Sequence, residues 1–207
     1  MKLYYTPGSC ALADHIVLEW IGKPYELQRI SKEERGQPAF LKINPAGAVP
    51  VLDDGGWLLT QNAAILNYLA DLNPEAKLGG DGTPKGRAEV NRWLAIVNSD
   101  MHPLFKPFFG SVAFLEDPKL IERVQDNARK ALRTHFERID AQLAGKDYLV
   151  GARSIADPYL FVLLRWAKSQ HVDLAGLDHL ARFERTMRAD PAVQKALKEQ
   201  GLDQEHP

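Results

Sequence analysis

The sequence has no long hydrophobic run, no basic cluster and only one cysteine, and each absence excludes a class of protein. None of its apolar stretches approaches the length needed to cross a membrane. The first apolar run, residues 3–5, is too short for the core of a secretory signal. The net charge is −1 and no basic run exceeds a pair, which argues against a nucleic-acid-binding surface. We therefore expect a cytoplasmic protein with no membrane or nucleic-acid partner.

The single cysteine, Cys10, limits what sulfur can do in this chain. One thiol forms no internal disulfide and cannot build a multi-cysteine metal site, so we predict no metal centre. Two interpretations remain open. Cys10 is either a small buried apolar residue or a group with a chemical role.

The first part of the chain alternates short strand-like and helix-like segments, which is typical of an α/β domain. An apolar stripe at helical spacing follows Ser9 and Cys10 and ends at Gly22. The predicted order is βαβαββα. Strands are expected at residues 3–5, 25–30, 51–52 and 57–59, and helices at residues 11–21, 39–43 and 62–72.

The rest of the chain has only helical patterns and predicts an all-α helical bundle. Helices are expected at residues 87–101, at 120–143, after the capping-box-like segment 154–157, and at 192–199 after Asp190 and Pro191. The helix after Asp157 has few charges and should be buried at the centre. A Gly- and Pro-rich stretch separates the two parts. We predict a domain at residues 1–75, a linker at 76–85 and a second domain at 86–207.

Pro50 enters an apolar strand although it has no N–H to donate to a sheet. A Val49–Pro50 bond just before a strand, after a Pro-Ala-Gly turn, is a candidate for the cis isomer. The backbone groups of Val49 would then be available to pair with a peptide-like ligand. The alternative is an ordinary trans proline that opens a strand.

Three separate segments should meet if the first part folds as one unit. They are the turn at Ser9 and Cys10, the Val49–Pro50 bend, and the helix start at Gln61 and Asn62. Ligands of open α/β sheets collect at such positions, and helix N-termini favour anions. We expect a pocket there that suits a thiolate and a carboxylate.

Several short segments together resemble the cytosolic glutathione S-transferases, and most of all their bacterial beta class. They are residues 2–5 with 7–10, 44–50, 59–65, 99–102 and 154–157. In this order they span nearly the whole chain. The resemblance implies a thioredoxin-like N-terminal domain with a cis-proline, an all-helical C-terminal domain, a homodimer, and glutathione as cosubstrate.

The resemblance also implies roles for residues near the start of the chain. Cys10 corresponds to the beta-class cysteine, which lies beside the glutathione sulfur and can form a mixed disulfide with it. The positive end of a helix dipole would favour a thiolate at this position. Ser9 corresponds to the serine of a different class, which donates a hydrogen bond to that sulfur. Ser9 therefore either shares or takes over the role of Cys10, or is a plain turn residue. Tyr5 belongs to the same opening motif and is expected to contact glutathione.

The same comparison predicts how the rest of the tripeptide would be held. The backbone of Val49, next to Pro50, would pair with its cysteinyl part. Either Lys32 or Arg35 would hold the glycine carboxylate, in a loop shorter than the family's. Gln61 and Asn62 would bind the γ-glutamyl end, or else simply cap a helix.

In the second half, the segment ending at His102 corresponds to the beta-class segment that carries its active-site histidine. His102 would donate to the sulfur or polarise an electrophile, or be structural. Ser99 and Asp100 are assigned to glutathione binding, with Asp100 reaching the γ-glutamyl ammonium of a partner subunit. Aromatic residues follow between two prolines and would form an apolar wall for a second substrate, or else part of the interdomain core.

The function predicted on this basis is conjugation of the glutathione thiolate to small apolar electrophiles. Two alternatives remain open. One is a glutathione-dependent thiol transferase or peroxidase that works through a Cys10 mixed disulfide. The other is a non-catalytic ligand-binding scaffold, because a fold alone does not determine an activity.

Overall fold

The computed structural model describes residues 1–203, and its N-terminal part is built on a mixed four-stranded sheet. The strands are β1 (Lys2–Tyr5), β2 (Glu26–Arg29), β3 (Val51–Asp54) and β4 (Trp57–Thr60). They lie in the order β2-β1-β3-β4, with β1 and β2 parallel and β3 antiparallel to both of its neighbours. Leu3 pairs with Leu27 on one side and Leu52 on the other, so apolar side chains continue across the sheet.

Eight α-helices accompany the sheet among the described residues. They are α1 (Ala11–Ile21), α2 (Pro38–Leu41), α3 (Asn62–Leu72), α4 (Pro84–Ala95), α5 (Pro118–Gln142), α6 (Ala156–Ser169), α7 (Asp178–Ala189) and α8 (Pro191–Glu199). The predicted order βαβαββα is confirmed, and the C-terminal half is helical as expected. Gly22 ends α1 in the left-handed conformation and donates its N–H to Leu18 O, 3.0 Å away.

Several predicted element boundaries were wrong by a few residues. β2 and α2 are shorter than predicted and α5 begins at Pro118, while α7 was not predicted as a separate helix. The predicted helix at 87–101 is wrong at both ends. It begins at Pro84, inside the predicted linker, because the Thr83 hydroxyl caps it by accepting from Gly86 N.

The same helix stops being α-helical at Ala95, and two prolines follow in the next turns. Residues Ile96–Met101 form a π-helical segment, and residues His102–Phe109 continue in 3-10 geometry. Pro103 has no N–H to continue the α-helical ladder, and Pro107 repeats the interruption within the 3-10 segment. The helical geometry therefore changes where His102 and the aromatic side chains begin.

Helix α6 forms the centre of the molecule, as predicted. All its residues from Ala156 to Arg165 are buried, and it contacts α1, α4, α7 and the π-helical segment. Its start depends on Asp157, which accepts from Ser154 N and Oγ, both at 2.8 Å, and from Leu149 N at 2.9 Å. Asp157 thus satisfies two buried backbone N–H groups that would otherwise lack a partner.

Helix α8 packs against α1 through a buried histidine. His15 lies 3.0 Å from Glu199 Oε2 through Nε2 and 3.1 Å from Gln200 Nε2 through Nδ1. Lys195 forms an ion pair with Glu19 at 2.8 Å. His15, Glu19 and Glu199 bring metal-ligating atoms within 4.8 Å of one another, but the Lys195 ammonium already supplies a cation there.

We predict that Asp157→Ala destabilises the protein without changing its fold. Two buried backbone N–H groups would lose their acceptor, which lowers the free energy of unfolding by roughly 2–4 kcal/mol. Asp126→Ala on the exposed side of α5 is the matched control and should change it by less than about 0.5 kcal/mol. Urea unfolding followed by circular dichroism measures both, and equal effects of the two changes would contradict the role assigned to Asp157.

Candidate active site

A cleft of about 1000 Å³ opens between the sheet domain and the helical half. The first part of the chain contributes the turn before α1, the loop after β2, the Val49–Pro50 bend and the start of α3. The helical half contributes residues from the 3-10 segment and α6, together with Asn98. The Val49–Pro50 peptide bond is cis, as the sequence indicated.

Most of the residues predicted to form the site line this one cleft. They are Ser9, Cys10, Lys32, Arg35, Val49, Pro50, Gln61, Asn62 and His102. Residues far apart in the sequence therefore meet, because the strand ends and helix starts of the sheet domain lie together and face the 3-10 segment. The three segments expected to converge do so.

Three residues assigned to glutathione binding do not line the cleft. Tyr5 is only 6% exposed and belongs to the core, since it shares the buried face of β1 with Leu3. Ser99 and Asp100 are exposed on the π-helical segment. Strand alternation directs the Tyr5 side chain inward, so the structure gives no support to its predicted contact with glutathione.

The turn before α1 is held by the helical half. Gln200 Oε1 accepts from Gly8 N at 3.1 Å, and Trp166 Nε1 donates to Gly8 O at 2.8 Å. Gly8 has a φ of +72°, which glycine adopts without steric cost. Inside this turn the Ser9 hydroxyl donates to Thr6 O at 2.7 Å. Its proton is therefore engaged within the turn rather than directed at a ligand.

Cys10 has a neutral thiol rather than the expected thiolate. Burial raises its pKa to about 12, and the Asp14 carboxyl adds to the shift. The sulfur lies 3.9 Å from Val49 O, close to the cis-proline bend. Desolvation of the charged form thus outweighs the helix dipole that the sequence suggested would stabilise it. Cys10 is placed beside the cleft as a weak hydrogen-bond donor.

The two residues predicted at the start of α3, Gln61 and Asn62, have different environments. Gln61 is exposed at the cleft and has a φ of +74°, an uncommon value for a residue other than glycine. Asn62 is only 4% exposed, and its side-chain amide faces the buried Asp14 instead of the cleft opening. Asn62 can therefore donate to a ligand through its backbone N–H, together with the other N–H groups of the first turn.

Two basic side chains stand at the end of the cleft formed by the loop after β2. Lys32 is exposed, whereas Arg35 is half-buried and its Nε is buried without a hydrogen-bond partner. Among residues 1–203 neither one forms an ion pair. The Arg35 guanidinium is therefore a preformed partner for an anion, and it suits a carboxylate better than an ammonium does.

His102 contributes a neutral imidazole to the opposite wall. Its Nδ1 lies 2.5 Å from the Tyr159 hydroxyl, and its ring packs edge-on against Trp166 at 5.0 Å. Burial lowers the pKa of His102 to about 4, and the nearby Lys106 contributes to the same shift. When Tyr159 donates to Nδ1, the ring proton stays on Nε2, and His102 has one N–H left to donate.

The aromatic segment divides between the cleft and the core, so both interpretations of it hold in part. Phe108 and Phe109 line the cleft with Trp166, whereas Phe105 is fully buried beneath them. Phe109 and Trp166 meet edge to face at 5.0 Å. This wall offers apolar surface to a ligand.

Sequence reasoning missed Tyr159, Trp166 and Asn98, which also line the cleft. Tyr159 and Trp166 are seven residues apart on α6 and so lie on one face of it. Their pattern in the sequence was that of a buried helix, and the polar ends of both rings were the available signal. A buried tyrosine or tryptophan usually needs a hydrogen-bond partner, and here those partners are site residues.

Comparison with known proteins places the chain in one family. The family models for the glutathione S-transferase N-terminal and C-terminal domains match residues 1–71 and 96–191. Glutathione S-transferase GST-4.5 of Xanthomonas campestris is 53% identical over 98% of this chain and 100% of its own length. The chain therefore belongs to the glutathione S-transferase family.

Solved structures agree with this assignment. A glutathione S-transferase from Xylella fastidiosa superposes with a TM-score of 0.95 at 52% identity, covering 97% of this chain and 98% of its own. A sphingomonad glutathione S-transferase complexed with glutathione gives a TM-score of 0.85 at 36% identity, covering 98% and 100%. Bacterial beta-class members are among the other neighbours. Within residues 1–203 no helix is both long and apolar enough to cross a membrane.

We predict that Cys10 reacts slowly with iodoacetamide at neutral pH. Because its pKa is raised to about 12, the thiolate fraction and the rate should increase about tenfold per pH unit up to at least pH 10. The same chain unfolded in urea is the control, and its rate should level off at the pKa of an ordinary thiol. A plateau below pH 8 in the folded protein would show that the thiol is ionised there.

Proposed function

We propose that this protein binds glutathione in the cleft and conjugates its thiolate to small apolar electrophiles. The observation that carries the proposal is the division of one cleft into a polar end and an aromatic end. The polar end has an unpaired guanidinium and the free N–H groups of a helix start, whereas the other end has Phe108, Phe109 and Trp166. A charged tripeptide and an apolar second substrate each find a matching surface.

Each part of the tripeptide has a candidate partner in the cleft. The backbone of Val49 would pair with the cysteinyl unit. The γ-glutamyl carboxylate would meet the first turn of α3, with Gln61 accepting from the ammonium. Arg35 would hold the glycine carboxylate, with Lys32 as a weaker electrostatic contribution. With both ends held, the sulfur would lie at the turn that contains Cys10.

The side chains near the sulfur act as hydrogen-bond donors in this mechanism. The Nε2–H of His102 favours the charged form of a neighbouring sulfur, which lowers the pKa of the bound thiol. The neutral thiol of Cys10 would contribute in the same way by giving up its bond to Val49 O. The thiolate then attacks an electrophile positioned against the aromatic wall. Ser9 would contribute only by giving up its bond to Thr6 O.

Thiol transfer through a Cys10 mixed disulfide receives less support. The thiolate is the attacking species in disulfide exchange. A thiol whose pKa is raised to about 12 has very little of it at neutral pH. The raised pKa of Cys10 therefore favours conjugation over the thiol transferase or peroxidase alternative.

Three measurements on the purified protein separate these functions. Calorimetry with glutathione, turnover of a chromogenic aryl halide, and turnover of a mixed disulfide are each compared with those of Cys10→Ala. Conjugation predicts heat of binding, aryl-halide turnover, and substantial activity left in the variant. Activity only on the disulfide, and none in Cys10→Ala, would establish thiol transfer. If glutathione gave no heat of binding and neither substrate were turned over, the result would support the non-catalytic scaffold.

We extend the proposal to a homodimer of the 23.2 kDa chain. Trp57 and Leu58 on β4 expose apolar surface, with side chains 52% and 39% accessible. Asp100 is exposed and lies outside this chain's own cleft, as expected if it serves a partner subunit. Sedimentation equilibrium should give twice the chain mass, and the mass of one chain would contradict the dimer.

We predict that Arg35→Gln weakens glutathione binding by roughly 10- to 100-fold, because a charge-assisted hydrogen bond contributes about 1.5–3 kcal/mol. Lys32→Gln is the matched control and should cost less than about fivefold, since exposed ion pairs contribute little. A glutathione analogue with an amidated glycine should bind the native protein and Arg35→Gln equally. Calorimetry measures all of these affinities. If the analogue bound Arg35→Gln more weakly than the native protein, Arg35 would not be the partner of the glycine carboxylate.

A further inference from the structure

A buried carboxyl group that the proposed mechanism does not use lies beneath the cleft. Asp14 is on α1, one turn after Cys10, and its side chain is fully buried. Within the described part of the chain no lysine, arginine or histidine pairs with it. A carboxylate in such a place normally has a cation beside it. Its contact with the uncharged side chain of Asn62 therefore requires explanation.

The Asn62 amide contacts both oxygens of this carboxyl. With its nitrogen turned towards Asp14, that nitrogen lies 3.0 Å from Oδ1 and 2.6 Å from Oδ2. This orientation suits an ionised Asp14, which only accepts hydrogen bonds. In the opposite orientation the Asn62 amide oxygen faces the carboxyl. These groups form a hydrogen bond only if Asp14 is protonated and donates to the amide oxygen. The direction of the amide thus reports the proton on Asp14.

The contacts continue from Asn62 to the wall of the cleft. The Asn62 amide also acts on the Tyr159 hydroxyl, because a hydrogen bond from Asn62 lowers the pKa of that hydroxyl against the effect of its burial. That hydroxyl lies 2.5 Å from His102 Nδ1 and 3.2 Å from Asn98 Oδ1. Asp14, Asn62, Tyr159 and His102 therefore form a continuous polar chain from the buried carboxyl to a residue that lines the cleft.

We propose that Asp14 is a positioning residue whose protonation selects the tautomer of His102 through Asn62 and Tyr159. This inference rests on the proposed function only for its catalytic consequence. The four groups each have a limited number of donors and acceptors, so reversing one contact reverses the next.

In the protonated state every bond in the chain points towards the cleft. Asp14 donates to Asn62 Oδ1, and Asn62 Nδ2 donates to the Tyr159 oxygen. Tyr159 donates its single proton to His102 Nδ1 at 2.5 Å in preference to Asn98 Oδ1 at 3.2 Å. The imidazole proton is then on Nε2, and His102 offers a donor to the cleft. This is the form that stabilises a thiolate.

In the ionised state the bonds point the other way. One proton has left Asp14 for solvent, Asn62 Nδ2 donates to the carboxylate, and Tyr159 donates to Asn62 Oδ1. His102 then keeps its single proton on Nδ1, donating to the Tyr159 oxygen, and Nε2 has a lone pair that can accept a proton. The imidazole is neutral in both states, and only the position of its proton differs.

The groups around Asp14 favour the protonated state over a wider pH range than for an exposed aspartate. Burial raises the pKa of Asp14 well above its usual range. The titratable groups whose pKa values Asp14 affects are Cys10 on its own helix and Tyr159 on α6, both neutral at pH 7. Helix α3 contributes the uncharged Asn62. The charged Lys195 and Glu199 of α8 are directed at Glu19 and His15 instead.

The test is a nitrogen-15 NMR titration of the histidine rings in the complete protein without glutathione. Carbon-13 shifts of the carboxyl groups, followed in parallel, should show one buried carboxyl titrating above the usual aspartate range and absent from Asp14→Asn. In the native protein His102 should change from the Nε2–H to the Nδ1–H tautomer as that carboxyl ionises. In Asp14→Asn the tautomer should stay the same across the titration, whereas Asp126→Asn should behave as the native protein.

A second variant keeps the test decisive if Asp14→Asn does not fold. Asn62→Leu retains the carboxyl but breaks the chain, so Asp14 should still titrate and His102 should no longer follow it. The proposal is overturned if the native His102 keeps one tautomer while Asp14 titrates, or if the tautomer still changes in either variant. Calorimetry with glutathione on the native protein reports separately on the proposed function, because no ligand is present in the NMR experiment.

The catalytic consequence is tested by the pH profile of kcat/KM with an aryl halide. The native protein should show an inflection at the pH where the Asp14 carboxyl titrates, and Asp14→Asn should lose that inflection. A variant that only loosened the packing would lower kcat/KM equally at all pH values, which would count against a role in positioning His102.

Discussion

The contact between α1 and α6 is the constraint on which the rest of the molecule depends. Helix α6 is buried along most of its length and packs directly on α1, so the two halves share one hydrophobic core. At the cleft end the same helix supplies Trp166, which donates to Gly8 O and holds the turn before Cys10. The position of the candidate sulfur site therefore depends on a helix more than 140 residues away in the sequence. A change that moved α6 would move both walls of the cleft together.

Close packing at this contact also determines the chemistry of the polar groups near it. Cys10 and Asp14 lie where water is excluded, and burial raises the pKa of each. Burial lowers the pKa of His102 instead, because the neutral form of an imidazole is its deprotonated form. Cys10 and His102 are thus uncharged at neutral pH, and the protonated form of Asp14 is favoured. The cleft presents neutral donors at its floor and keeps an unpaired positive charge, Arg35, at one end, which is a suitable arrangement for an anionic ligand with a thiol in its middle.

Local patterns were sufficient for much of the fold, because they act over a few residues. The alternation of strand-like and helix-like segments gave the correct order βαβαββα, and Gly22 and Asp190 marked helix ends that the structure confirms. Pro103 and Pro107 lie in the 3-10 segment, where each lacks the N–H that an α-helix would need. The error at α4 arose because apolar periodicity continues through a π-helical segment, and the spacing of side chains does not show which carbonyl each N–H reaches.

By itself the sequence determined the family, the two kinds of domain and most of the residues that meet in the cleft, since motifs at strand ends and helix starts are brought together by any sheet of this topology. The protonation states and hydrogen bonds of those residues depend on the tertiary structure. It showed that Tyr5 points into the core, that Ser9 bonds within its own turn, that Asn62 faces Asp14, and that the Cys10 thiol is neutral. The physical reason is that a pKa and the direction of a hydrogen bond depend on burial and on neighbours from distant parts of the chain, here above all α6.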